Sequence, residues 1–171
     1  MKQRCVVVDV ETIGLSPRRG DRIIEIGAVA VEDGRIVGEF HSLVNAGRRI
    51  PAVVSRINGI TDGMLIGQPR PEEALPKFHR FIGSALLVAH NARFDVGFLM
   101  HEFARERLML ANRHVCTLQM SRIRWPSLSD HKLETVYRHL FGEMRPDVQR
   151  HRALDDARLT ARIWMEMMGN G

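Results

Sequence analysis

Asp9 and Glu11 close the run Cys5-Val6-Val7-Val8-Asp9-Val10-Glu11-Thr12. The run is short, apolar and β-branched, which reads as a buried strand, and such a strand has no ordinary use for acids. Side chains on a strand alternate faces, so residues two apart point the same way. The two carboxylates therefore leave one face a few ångströms apart. At an effective dielectric of about 20, charges ~4 Å apart repel by about 4 kcal/mol. A hard divalent cation offsets that repulsion and suits oxygen ligands. The plain alternative is a strand that runs out into a solvated acidic loop, and this pair alone does not decide between them.

Two later segments carry chemistry of the same kind. His90-Asn91-Ala92-Arg93-Phe94-Asp95 leads from a short apolar strand into a helix over 95–107. Phe98, Leu99 and Phe103 fall three, four and eight positions after Asp95, which puts Asp95 on the core-facing side at the helix start. An acid there complements the helix dipole, but that explains its place along the chain and not its inward direction. The last segment is His151-Arg152-Ala153-Leu154-Asp155-Asp156. Five helical steps of about 100° leave two residues about 140° apart. His151 and Asp156 therefore converge only if His151 lies in the loop before the helix and Asp156 projects from its first turns. A loop histidine taken alone is ordinarily solvated. Asp155, one step of about 100° from Asp156, is expected at the surface or behind the site.

The elements that must position these residues follow from periodicity and turn signals. Strands are expected over 22–31 and 35–44, joined by an Asp33-Gly34 hairpin turn. A short helix over 51–57 has Pro51 in its first turn, and Thr61 caps a second short piece. Pro69 and Pro71 precede an amphipathic helix over 72–82, with Leu75, Phe78, Phe81 and Ile82 inward. Strands over 85–90 and 114–117 frame the Asp95 helix, the second of them at an edge. Helices are expected over 117–123 and 131–141, the latter turning Leu133, Val136, Tyr137 and Leu140 inward and stopping at Gly142. After a loop over 146–150, a last helix over 153–168 has a core stripe of Leu154, Ala157, Ala161, Trp164, Met165 and Met168. Strands first, then alternating helices and strands, give an α/β fold with a mixed sheet in a single domain over 1–171.

Composition sets the setting. The chain is 44% hydrophobic and 26% charged, and no apolar run approaches the length of a membrane span. Met1-Lys2-Gln3-Arg4 leads straight into a strand, so no signal peptide is expected and a cytoplasmic location follows. Cys5 and Cys116 are expected as reduced core residues rather than a disulfide. The formal net charge is +5 and the sequence pI is near 10.0. With acids gathered round a metal, the remaining exterior is more positive still, which suits a polyanion such as nucleic acid. Improved solubility is the plain alternative.

The segments Asp9-Val10-Glu11-Thr12, His90-Asn91-Ala92-Arg93-Phe94-Asp95 and His151-Arg152-Ala153-Leu154-Asp155-Asp156 resemble, in order and spacing, the three motifs of the DEDD superfamily of 3′→5′ exonucleases. Four residues between His151 and Asp156 place the likeness in the histidine branch (DEDDh), alongside the exonuclease domain of the polymerase III epsilon subunit and RNase T. Ile57-Asn58-Gly59-Ile60-Thr61 and His131-Lys132-Leu133 resemble family landmarks between the motifs, so the likeness covers nearly the whole chain. It implies an RNase H-like fold, a mixed five-stranded sheet with one antiparallel strand flanked by helices. It implies that Asp9, Glu11, Asp95 and Asp156 bind two divalent cations, Mg²⁺ or Mn²⁺, with His151 as general base. Thr12 and Leu15 match positions that meet the terminal nucleotide, and Phe94 is read as core or as a base-stacking ring.

The activity implied is metal-dependent hydrolysis from the 3′ end of single-stranded nucleic acid, DNA favoured over RNA, releasing nucleoside 5′-monophosphates. Single-stranded DNA or RNA 3′ ends are the implied partners, with a DNA polymerase and a second copy of the chain as further candidates and no membrane. Ile13 and Asn58 depart from the family, which usually carries threonine and histidine there. Arg18, Arg19, Arg48, Arg49, Arg145, Arg150 and Arg152 are candidates for phosphate contact. Two other readings stand beside this one: an inactive nucleic-acid-binding or polymerase-associated scaffold of the same fold, and an RNase H-type endonuclease, against which the His151/Asp156 pair argues.

Overall fold

A computed structural model describes residues 4–144 and 151–169. Among them five strands form one sheet: β1 (Arg4–Thr12), β2 (Ile23–Glu32), β3 (Arg35–Leu43), β4 (Leu86–Ala89) and β5 (His114–Cys116), in the order β3-β2-β1-β4-β5. β2 pairs antiparallel with both β1 and β3, while β4 runs parallel to β1 and β5 parallel to β4. β2 is therefore the single strand running against the others, as the mixed sheet required.

β1 is apolar from Cys5 to Val8 because both its faces are covered there. Val6, Val8 and Val10 join one core with Leu75, Phe78 and Ile82 of α3 (Pro71–Ile82) and Val96, Leu99 and Phe103 of α4 (Ala92–Arg105). Cys5 and Val7 face the other way, under Ala157, Ala161 and Trp164 of α7 (Ala153–Met167). Asp9 and Glu11 continue the second series, so strand parity aims them beneath the start of α7. The short helices α1 (Ala52–Asn58) and α2 (Asp62–Leu65) close the sheet end around Ile13, Ile24, Ile50, Ile60 and Leu65. Thr61 caps α2 as expected, its hydroxyl accepting from Met64 N at 3.4 Å. α5 (Thr117–Arg124) and α6 (Leu133–Phe141) complete the α7 side of the sheet.

Three boundaries or faces differ from expectation. α4 opens at Ala92 rather than at 95, because Asn91 turns through the left-handed region (φ 88°) directly after β4. α6 opens at Leu133 rather than at 131, since Asp130 accepts from Lys132 N at 3.0 Å and holds those residues in a turn. α7 buries two stripes: besides Ala157, Ala161 and Trp164, residues Leu159, Ile163 and Met167 pack on Val136 and Tyr137 of α6. Met168 lies past the helix end and is half exposed, so it is not core. The expected loop over 146–150 falls outside the described residues.

One buried ion pair ties α4 to the sheet. Glu102 is 3% exposed and accepts from Arg22 Nε at 2.6 Å and Nη2 at 2.8 Å. Removing one partner strands the other charge in the interior, a loss of about 3–5 kcal/mol. Arg22→Ala is expected to lower the unfolding free energy by that amount, read from a urea midpoint shift at constant slope. A shift below about 1 kcal/mol would place the pair with ordinary surface bridges.

Among the described residues no helix is long and apolar enough to cross a membrane. Cys5 and Cys116 are free thiols.

Candidate active site

Three chain segments meet at the C-terminal end of β1. In the β1/β2 ladder Asp9 stands opposite Gly27, and Glu11 opposite Glu25. From the first turn of α4, Asp95, only 3% exposed, accepts the backbone N–H of Val10 at 3.2 Å, which ties its carboxylate to the residue between the strand's two acids. From the far end of the chain, His151 occupies the turn before α7 with a left-handed backbone (φ 57°), and Asp156 projects from the first turns of the helix. The amide of His151 donates to Asp156 Oδ2 at 3.1 Å. One ligand atom each from Glu11, His151 and Asp156 lies within 4.8 Å of the others. The convergence that residue spacing required of His151 and Asp156 is thus the arrangement found.

Electrostatics mark the same spot. Burial pushes Asp9 well above the usual carboxylate range, and the charges of Asp95, Asp156, Glu11 and Glu25 add to it. Burial lifts Glu11 to about 8 against the hydrogen bond from Asn58, with Asp156, Glu25 and Asp95 adding to the rise. Burial raises Asp95 too, opposed by the Val10 amide and reinforced by Asp156. Acids crowded so closely hold protons unless a cation takes their place. The carboxylates of Asp9, Glu11, Asp95 and Asp156 are hard oxygen donors, a set that fits a divalent cation of the oxygen-seeking kind.

Asp155 points away, accepting from Arg158 Nη1 at 2.9 Å, and Arg158 in turn binds Glu39 on β3 at 2.7 Å and 2.9 Å. Thr12 is buried, with its hydroxyl donating to the Gly14 carbonyl. Leu15 stands 86% exposed on the turn after β1. Phe94 packs on Phe98 at 4.9 Å between ring centres, against the main core. His90 is held by Thr117 Oγ1 at 2.9 Å and the His131 carbonyl at 2.8 Å, so it shapes the turn that presents Asp95. Arg18, Arg19, Arg48 and Arg49 are exposed; Arg145 and Arg150 lie outside the described residues. Arg152 is not free for phosphate, because its guanidinium is bound by Glu25.

Two neighbours of the site went unassigned in the sequence. Asn58 is buried and donates to Glu11 Oε2 at 3.3 Å while accepting from Ile60 N at 3.0 Å. Glu25 is wholly buried in Ile23-Ile24-Glu25-Ile26-Gly27. The signal that could have found it was the one that found Asp9, a lone acid in a strand with no exposed face.

A family model described as Exonuclease, that of RNase T, matches residues 6–164. The chain belongs to the RNase T exonuclease family. Within it, the chain is 42% identical over 158 residues to a PolC-type DNA polymerase III of Clostridium perfringens, covering 92% of this chain and 11% of that one. It is 37% identical over 168 residues to the 3′-5′ exonuclease DinG of Bacillus subtilis, covering 98% of this chain and 18% of that one. The chain thus spans less than a fifth of the length of these curated relatives. Among solved structures, Exonuclease X in complex with 5′ overhanging duplex DNA aligns at TM-score 0.76 and 30% identity, over 96% of this chain and 91% of that one. Exonuclease I of E. coli, solved in zinc-bound form with single-stranded DNA, aligns at TM-score 0.83 and 16% identity over 96% and 40%, a likeness of fold. The sheet is that of the RNase H-like exonucleases. The exonuclease family is divalent-metal dependent.

Proposed function

We propose that residues 1–171 form a single domain that removes nucleotides one at a time from the 3′ end of single-stranded nucleic acid, DNA in preference to RNA. The observation that carries this reading is the meeting of acids from three distant segments with one imidazole: ligand atoms of Glu11, His151 and Asp156 lie within 4.8 Å of one another, and Asp95 is bound to Val10 N between Asp9 and Glu11 in the strand. Asp9, Glu11, Asp95 and Asp156 would hold two divalent cations, Mg²⁺ or Mn²⁺. When bound, such a pair stabilises charge on the attacking and departing oxygens of the phosphodiester.

The chain's own groups do the rest. His151 takes a proton from the attacking water, whose oxygen joins phosphorus as the bond to the 3′-oxygen of the preceding nucleotide breaks. That oxygen takes its proton from solvent, to which His151 later returns the one it took, and the product is a nucleoside 5′-monophosphate. Asn58 fixes one oxygen of Glu11, so that carboxylate faces the site in a single orientation. Leu15, exposed beside the strand end, would meet the last base, and Thr12 shapes the turn that carries it. Phe94 supports the wall from the core side. A polymerase partner is supported by the names of the polymerase relatives, and two free thiols suit a cytoplasmic setting.

The direct test is a degradation ladder on 5′-labelled single-stranded DNA and RNA with Mg²⁺, Mn²⁺ or EDTA. Stepwise shortening with metal and none with EDTA is expected. Tight binding without shortening would establish a scaffold instead, and internal cuts an endonuclease.

The raised Glu11 pKa has a measurable consequence for stability. Its ordinary value is 4.5 and its folded value about 8, so between them the folded, metal-free protein holds a proton that the unfolded chain has lost. Stability then falls as pH rises through that window. In EDTA, Tm is expected to be lower near pH 8 than near pH 5, with added Mg²⁺ raising it more at the higher pH. Equal Tm at both pH values, with no metal dependence, would contradict a cation in this cluster.

A further inference from the structure

The start of α7 carries His151 and Asp156, yet its own cap residue does not hold it. Arg152, at the N-cap, makes no side-chain capping bond. The acceptor comes from another element altogether: Glu25 Oε2, on β2, takes the first helical N–H, that of Ala153, at 3.0 Å. The same carboxylate takes Arg152 Nη2 at 2.8 Å and Arg152 Nε at 3.1 Å on Oε1 and 3.2 Å on Oε2, and sits 2.7 Å from His41 Nε2. Two residues along β2, a Cβ on Gly27 would fall 2.2 Å from the Ala153 carbonyl carbon and the Leu154 nitrogen. Only glycine lets the helix start rest directly on the strand there. β2 is itself paired residue for residue with the strand bearing Asp9 and Glu11. The Arg152 side chain and the main chain of Ala153 and Leu154 are thus fixed to the same ladder as the acids they must meet, and His151 is the residue directly before them.

From these contacts we infer that Glu25 is a positioning residue for the exonuclease reaction: it fixes the His151 turn and the Asp156 helix start against β1 and binds neither metal nor substrate. Oε1 takes Arg152 Nη2 and His41 Nε2, and Oε2 takes Ala153 N and Arg152 Nε, so donors from α7 and β3 fill the carboxylate's lone pairs. The inference rests on the exonuclease reading for its kinetic consequences and on geometry alone for its structural ones.

The experiment uses the full chain and Glu25→Ala, with a 5′-labelled single-stranded oligonucleotide and Mg²⁺. A misplacement of about 1 Å at a reacting group costs about 10²-fold. The expected result is a fall in kcat of that order with KM within about threefold of wild type, and an unchanged Mg²⁺ concentration for half-maximal rate. Hydrogen exchange should quicken at the Ala153 and Asp156 amides while the amides of β1 and β2 keep their protection. A kcat within about threefold of wild type overturns the inference, as does a loss confined to KM. A shifted Mg²⁺ requirement overturns it too, because it would make Glu25 a ligand. If Glu25→Ala does not fold, Arg152→Met removes one arm only: about a tenfold fall in kcat at constant KM is expected, and wild-type kcat or a raised KM overturns. A wild type that degrades nothing sinks the exonuclease reading, and exchange at Ala153 still decides the positioning role: quickened in Glu25→Ala it stands, unchanged it falls.

Discussion

Asp156→Ala, and equally Asp9→Ala, is expected to leave a folded protein that no longer shortens a labelled oligonucleotide. The loss should be at least ~10³-fold, or about 4 kcal/mol of transition-state stabilisation. Folding should survive because these carboxylates repel one another in the metal-free protein: Asp156 raises the pKa of Asp9, Glu11 and Asp95 alike. Removing one relieves the others, so a thermal melt in EDTA should show no loss of Tm. Its neighbour makes the control. Asp155 serves Arg158 on the outer side of the helix, where Glu39 holds the same guanidinium, and exposed pairs of that kind contribute about 0–1 kcal/mol. Asp155→Ala should therefore keep its rate within about threefold of wild type. A dead Asp155→Ala beside an active Asp156→Ala would mean that the helix presents the other acid.

The contrast between those neighbours shows what the sequence could and could not reveal. Period-two alternation was enough to aim Asp9 and Glu11 together, because β1 keeps its register with β2 from Arg4 to Glu11 and is covered on both faces over most of its length. Helical periodicity was enough to turn Asp95 inward, even though α4 opens three residues early, since the phase of a helix does not depend on where it begins. The spacing of His151 and Asp156 demanded a loop-to-helix boundary between them, and α7 begins at Ala153. Single-segment patterns stop there. Glu25 and Arg152 lie 127 residues apart, and nothing local to either announces the other. Arg152, taken as one more basic residue for phosphate, is half-buried and bound to Glu25. Gly27 reads as a weak spot in a strand until Ala153 is seen resting on it. The second stripe of α7 was missed for the same reason, since only the arrival of α6 gives Leu159, Ile163 and Met167 something to pack on.

His151→Ala carries the other large effect, a fall of ~10²–10⁴-fold at neutral pH, the range set by loss of a general base. The ring is exposed and reaches Glu11 and Asp156 from the turn, so nothing in the core rests on it. Its backbone sits at φ 57°, a region a side chain resists and glycine does not. His151→Gly should therefore fold at least as well as wild type while losing the same activity, which separates the imidazole's chemistry from any role in stability. Substrate binding should be nearly untouched, so the loss falls on kcat with KM held. The deficit should narrow as pH is raised, because hydroxide from solvent replaces the missing proton acceptor. A His151→Gly protein with wild-type kcat at neutral pH would remove the imidazole from the reaction and leave the acids to act alone.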